Sequence, residues 1–314
     1  MKIVVIGGGT GTYTVLTGLK KFRGVELTAI VSMMDSGGSS GRLRDEFGHL
    51  PPGDVRQCLV ALSEEDLILR QLFNFRFEKN SSLNGHSFGN LFLTALTEIT
   101  GGTEKAIEEA AKILTVKGRV LPVTLTNTEL CAKLVDGTII RGETNIDVRK
   151  IKPEIKIDHV YLDPKASVYL PVLQSIKEAN ILVIGPGDLY SSIIPNLLVS
   201  GVSEAIKSSR AKKVYVANLM TKHGESDHFK ASDFIKEVLK YLGDGAKIDY
   251  AIVNKGRTNK IQMENYQKEN AFLVEYDEEE CQRLVKKVIS RSLVSSGKLF
   301  RHDPEKLAKS ILGI

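Results

Sequence analysis

The sequence predicts an α/β protein, with a mostly parallel sheet, flanking helices and a small β-rich insertion. Three observations carry this. Residues 2–6 form a short apolar, β-branched run that meets Gly7-Gly8-Gly9-Thr10-Gly11 and then a helical pattern (Val15, Leu16, Leu19). Residues 180–184 repeat the arrangement, running into Gly185-Pro186-Gly187-Asp188. Between them, from about 116 to 162, apolar and polar residues alternate around Asp136-Gly137, a hairpin signal. Such alternation implies one wet face, unlike a core parallel strand. With no repeat, low-complexity tract or long linker, the chain reads as one domain over 1–314 carrying the 116–162 insertion.

The first turn sets the chemistry. Glycines let the backbone pass close to a ligand, and the helix behind them points free N–H groups and its positive dipole end at the turn. The preferred guest is an anion, most often a phosphate. The match to the dinucleotide fingerprint is incomplete, because its third glycine falls at Thr12. A turn needed only for packing is the alternative, although four glycines in five residues exceed what packing requires.

Composition narrows the classes. The 314 residues are 42% hydrophobic, which is enough for a large core. No apolar run approaches bilayer length, and the N-terminus enters a strand directly instead of showing a signal-peptide pattern. Cys58, Cys131 and Cys281 are scattered, so they form neither a disulfide framework nor a zinc pattern. The chain therefore reads as cytoplasmic, with no membrane insertion. The net charge of +5 is mild and the basic residues are interleaved with acidic ones, so nucleic acid is not indicated.

Taken in order, residues 27–33 form a second strand that ends at Asp35. Ser36-Gly37-Gly38-Ser39-Ser40-Gly41-Arg42-Leu43-Arg44 then reads as a Gly/Ser loop ending in arginines, able to wrap an anion or simply to lie on the surface. Asp54 follows Pro51-Pro52-Gly53 where a helix cap belongs, and Arg56 could face the same cleft. Gly85-His86-Ser87-Phe88-Gly89-Asn90 opens the helix that follows. His86 could act as an acid or base, but no carboxylate adjoins it to complete a triad. Later segments read as helices over 171–179, 193–199, 202–208, 231–242, 281–294 and 304–312, and as strands over 213–219, 250–254 and 271–275. A polar loop, 220–227, follows the first of these strands.

These motifs together resemble the gluconeogenesis factor family (YvcK-like proteins), within the CofD-like superfamily that includes the 2-phospho-L-lactate transferases. The resemblance rests on Gly7–Gly11, Asp35–Asp45, Leu50–Arg56, Gly85–Asn90, Gly118–Pro122, Gly185–Leu198 and Asn218–Asp227, and it spans essentially the whole chain. It implies a Rossmann-like fold and a site for a UDP-sugar such as UDP-N-acetylglucosamine. By motif match the site would be lined by Gly8, Gly9, Thr10, Gly11, Ser39, Ser40, Arg44, Asn90, Gly185, Pro186, Gly187, Asn218 and Thr221, with Tyr266 and Arg301 contacting the nucleotide sugar. It implies a cytoplasmic regulator of growth on gluconeogenic carbon sources, cell shape and envelope synthesis. Two positions depart from the family pattern. Ser36 stands in place of a second aspartate, and Asp188 replaces a serine, so that either an arginine or metal offsets it or it points away.

The alternative is a Mg2+-dependent 2-phospho-L-lactate-type transferase. There Asp35 and Asp54 would hold the metal, Arg44 and Arg56 would stabilise the leaving phosphate, and His86 would shuttle a proton. A nicotinamide oxidoreductase is the remaining reading, weakened by the missing third glycine. No cofactor is fixed by the sequence. A homodimer and the protein partner stay open.

Overall fold

The computed structural model describes residues 1–64, 67–78, 81–256, 263, 266–295 and 300–314. The first half runs β1 (Lys2–Gly7), α1 (Gly9–Leu19), β2 (Glu26–Val31), α2 (Gly38–Phe47), α3 (Gly53–Leu62), α4 (Leu67–Asn74), α5 (Phe88–Thr100), α6 (Thr103–Ile113) and β3 (Arg119–Pro122). An excursion follows with β4 (Glu129–Leu134), β5 (Ile139–Arg141), α7 (Glu143–Asp147) and β6 (Ile157–Asp163). The second half runs α8 (Leu170–Glu178), β7 (Ile181–Ile184), α9 (Ile194–Leu197), α10 (Val202–Ser208), β8 (Lys212–Val216), α11 (Ala231–Leu242), β9 (Ile248–Asn254), α12 (Glu278–Leu284), β10 (Val285–Arg291) and α13 (Pro304–Leu312).

Seven strands form one parallel sheet in the order β10-β9-β8-β7-β1-β2-β3. The first three strands wind one way from β1 and the last four wind the other way, which is the doubly wound, Rossmann-like topology. The strand order reverses between β1 and β7, where Ile6 pairs with Ile184. Ligands in such sheets bind beyond the carboxyl ends of the strands at this reversal. β1 is buried from Ile3 to Gly7 and β7 throughout, as central strands covered on both faces must be.

Three segments fold differently from their sequence pattern. The Gly/Ser stretch is helical from Gly38 onward, because its small residues let α2 pack closely and its buried Ser39 and Ser40 find partners on neighbouring segments. The helix predicted over 281–294 stops at Leu284. Val285, Val288 and Ile289 then enter the edge strand β10 beside β9, where β-branched residues fit better. The extended segment around 271–275 joins by a single bridge, Leu273 to Met220, and forms no full strand. β3 pairs with β2 in the large sheet, so the separate antiparallel sheet (β5-β4-β6) begins only at Glu129. The sequence reading did not contain α4 or α7.

Candidate functional site

The two glycine bends meet. A cavity of about 340 Å³ at the carboxyl ends of β1 and β7 is lined by Gly8–Gly11 from one bend and by Gly187 and Asp188 from the other. It runs on into a shallower lobe of about 210 Å³ that shares Thr10, Gly11, Gly187 and Asp188 and is completed by Pro186, Asn218, Tyr266 and Arg301. The side chain of Asn218 ties the bends to β8, accepting from the Gly187 N–H at 3.3 Å.

The larger lobe is acidic, with Asp35, Asp54, Glu143, Asp147 and Asp188 all lining it. Asp54 accepts the Gly9 N–H at 2.9 Å, so one amide of the first turn already faces a carboxylate. Burial, reinforced by Asp35, pushes the Asp54 carboxyl up to about 7 despite that hydrogen bond. Burial together with Asp35 and Asp147 pushes Glu143 up to about 8. Lys222 is the counterweight, its ammonium bridging Asp147 and, at 2.8 Å, Asp188. Burial opposes its charge, yet Asp188, Glu225 and Asp147 together hold it above the ordinary lysine range. Lys222 thereby meets the carboxylate at 188, the requirement that the sequence left to an arginine or a metal. Beneath it, Glu225 accepts from Tyr190 N at 3.0 Å and from Ser191 Oγ at 2.8 Å, pinning the single π-helical turn over Leu189–Ile193.

The second lobe is less polar. Tyr266 donates to the Phe300 carbonyl at 3.2 Å, with the two rings edge to face. Arg301 is exposed above them. His302 is buried with its Nε2 unpartnered, and burial lowers its pKa to about 4.

The sequence-predicted residues divide into two groups. Gly8, Gly9, Thr10, Gly11, Asp35, Asp54, Pro186, Gly187, Asn218, Tyr266 and Arg301 line the two lobes. Ser39, Ser40, Asn90 and His86 instead form a buried network behind α2. Ser39 Oγ lies 3.1 Å from His86 Nδ1, and Asn90 Nδ2 donates to Ser40 Oγ at 3.2 Å. Arg56 turns away from the cleft to Asn90 Oδ1 and Asn74 Oδ1, at 2.9 and 2.8 Å, because α3 presents it to α4 and α5. Arg44 lies beside Asp45, Thr221 is tied into the bridge segment by its bond to the Phe272 N–H, and Gly185 lies under the lobes without lining them. Gln57, Glu143, Asp147, Ser191, Lys222 and His302 were missed. The pair Glu143/Asp147 did carry a signal, since carboxylates four residues apart share one face of a helical turn. Ser36 has no carboxylate, but its N–H and hydroxyl hold α7 through Glu143 Oε2 (3.4 Å) and Thr144 N (2.9 Å).

Fold and cleft together define a doubly wound α/β protein with a crevice at its topological reversal. Comparison with known proteins adds the family. The model of the family described as 2-phospho-L-lactate transferase CofD matches residues 3–294. A gluconeogenesis factor of Bacillus subtilis is 41% identical over 317 residues, covering 100% of this chain and 98% of that one. One from Halalkalibacterium halodurans is 44% identical, covering 99% and 95%. The crystal structure of a upf0052 family member from Bacillus halodurans superposes with a TM-score of 0.94 at 44% identity, covering 99% of this chain and 98% of that one. The chain belongs to the gluconeogenesis factor family, within the wider CofD family.

Proposed function

We propose that this chain is a cytoplasmic regulator that binds a UDP-sugar, of the UDP-N-acetylglucosamine kind, and serves growth on gluconeogenic carbon sources, cell shape and envelope synthesis. The observation that carries the reading is the shared cleft, in which two glycine bends from distant segments flank one space between an acidic lobe and a lobe holding Tyr266 and Arg301. The diphosphate lies on the bends and the nucleoside reaches toward Tyr266 and Arg301. The gluconeogenesis factor name of the relatives supports the regulatory role.

Charge decides how a diphosphate enters. Even with Glu143 and part of Asp54 protonated near neutral pH, Asp35, Asp147 and Asp188 outweigh Lys222, so a bare anion is repelled from the larger lobe. A divalent cation accompanying the ligand removes that conflict. The residues fit Mg2+, since carboxylate oxygens are its preferred donors and it keeps several waters when bound by only one or two of them. Asp35 and Asp54 would hold it. Among the described residues the tightest carboxylate trio is Asp147, Asp188 and Glu225, within 4.8 Å of one another, but the Lys222 ammonium already pairs with two of these.

The transferase reading is kept for one observation. Asp54, with its carboxyl near 7, can exchange a proton at neutral pH, whereas His86 is held outside the lobes by Ser39. Mixing the purified chain with UDP-N-acetylglucosamine and Mg2+, and following binding heat together with UMP released by cleavage of the phosphoanhydride, separates the two. Heat without release supports the regulator, release supports the transferase, and binding of only a nicotinamide nucleotide overturns both.

A further inference from the structure

A cavity of about 650 Å³ lies at the opposite pole of the sheet, across the amino ends of β1, β2 and β3. β1 spans the two sites. Lys2 edges this cavity and Gly7 adjoins the cleft, five residues or about 17 Å apart. The lining is strongly basic, with Lys2, Lys20, Lys21, Arg23, Lys117 and Arg119. Half of these cations have structural work. Lys2 pairs with Glu178 at 2.7 Å, Lys117 pairs with Glu64, and Lys20 donates to the Ser63 carbonyl at 2.9 Å. Lys21, Arg23 and Arg119 make no side-chain hydrogen bond or ion pair with the described residues, leaving Glu26 as the one lining carboxylate outside an ion pair. Phe22 and Leu27 add an apolar wall.

We propose that this cavity is a second ligand site, for a small polyanion that carries two or more phosphate or carboxylate groups on an apolar body. Its volume falls within the range of small-molecule pockets, and two guanidinium groups supply forked donors for such groups. The like-charge crowding is already felt within the cavity. Burial, with Arg70, Lys117 and Lys21 adding to it, brings the Lys20 ammonium down to about 8. An anion in the cavity relieves that repulsion. The site does not depend on the reading of the carboxyl-end cleft, which lies at the far end of β1.

Inorganic tripolyphosphate is the probe, titrated calorimetrically at low salt into the wild-type chain and into a Lys21→Ala/Arg23→Ala/Arg119→Ala variant. These residues are exposed, so the variant keeps its melting temperature. One equivalent is expected to bind the wild type, and the variant is expected to bind at least about tenfold more weakly, since charge-assisted contacts are lost. The heat of UDP-N-acetylglucosamine binding stays the same in both. Equal tripolyphosphate affinity in the two chains, no heat from the wild type up to millimolar concentration, or uptake that never saturates at one equivalent overturns the proposal.

Discussion

Gly11, in the first bend, lies directly against the carbonyl of Pro186 in the second; a Cβ built at Gly11 would stand 2.0 Å from that oxygen. The two bends are therefore in contact, and the space over them is set by the missing side chain. Gly11→Ala forces them apart. Overpacking of this kind costs about 1–3 kcal/mol. The expected outcome is a melting temperature lowered by several degrees, together with loss of UDP-N-acetylglucosamine binding by calorimetry. A variant that melts lower and binds normally would show that the contact serves packing alone.

Lys222 is the cation that the acidic lobe was built around. Removing it as Lys222→Met leaves Asp147, Asp188 and Glu225 facing one another. Breaking a fully buried pair costs about 3–5 kcal/mol, and the solvent still reaching Asp188 reduces this to about 2 kcal/mol. Three carboxylate oxygens within 4.8 Å are then free to take a divalent cation. Mn2+ should raise the melting temperature of the variant more than that of the wild type. An equal response in both would mean that Lys222 does not hold the place of a metal.

The sequence made the two bends legible because each is a local pattern, an apolar strand ending in glycines before a helix. Their convergence was legible too, since the pattern recurs at strands that a doubly wound sheet places side by side. The acidic wall was legible only at Asp35, Asp54 and Asp188. Glu143 and Asp147 sit on a five-residue helix inside the small-sheet excursion, and only tertiary packing brings it to Ser36 and Ser191. Ser39, Ser40, His86 and Asn90 lie away from the two lobes for the opposite reason. Their polarity suggested a ligand, but they bond to one another and, at Asn90, to Arg56. Likewise α2 overrode weak helix propensity because its small side chains allow close packing, and β10 overrode a helical pattern because β9 offered an open edge.

Asp54 and Glu143 give the fold a pH dependence of definite sign. Their carboxyls stand at about 7 and about 8 in the folded chain, against ordinary values of 3.8 and 4.5. The native state thus holds protons that the unfolded chain has released. The stability they contribute is complete below about pH 4 and is lost as pH rises through 7 to 8. The Asp54→Asn/Glu143→Gln variant should melt higher than the wild type at pH 8, with the gap closing as pH falls toward 4. The amide oxygen that Asp54→Asn introduces still accepts from the Gly9 N–H, so the turn is kept. Mg2+ should raise the wild-type melting temperature at pH 8 and leave the variant unmoved. Parallel melting curves across this range would remove both carboxyls from the account.

Arg301 separates binding from folding. Its side chain is exposed at the rim of the second lobe, and its backbone carbonyl accepts the Ser295 N–H at 2.9 Å, a bond that side-chain truncation does not touch. Arg301→Ala should therefore leave the melting temperature within about a degree of wild type, as exposed substitutions generally do. Under the proposed function, loss of this guanidinium should weaken UDP-N-acetylglucosamine binding by about tenfold or more, the scale of one charge-assisted hydrogen bond. Tyr266→Phe gives the companion measurement. It removes only the hydroxyl bonded to Phe300, which holds the wall of the lobe in place. Affinity lost in both variants with stability unchanged puts the nucleoside in this lobe. Stability lost in step with affinity would instead make Arg301 a structural residue and leave the lobe without a ligand.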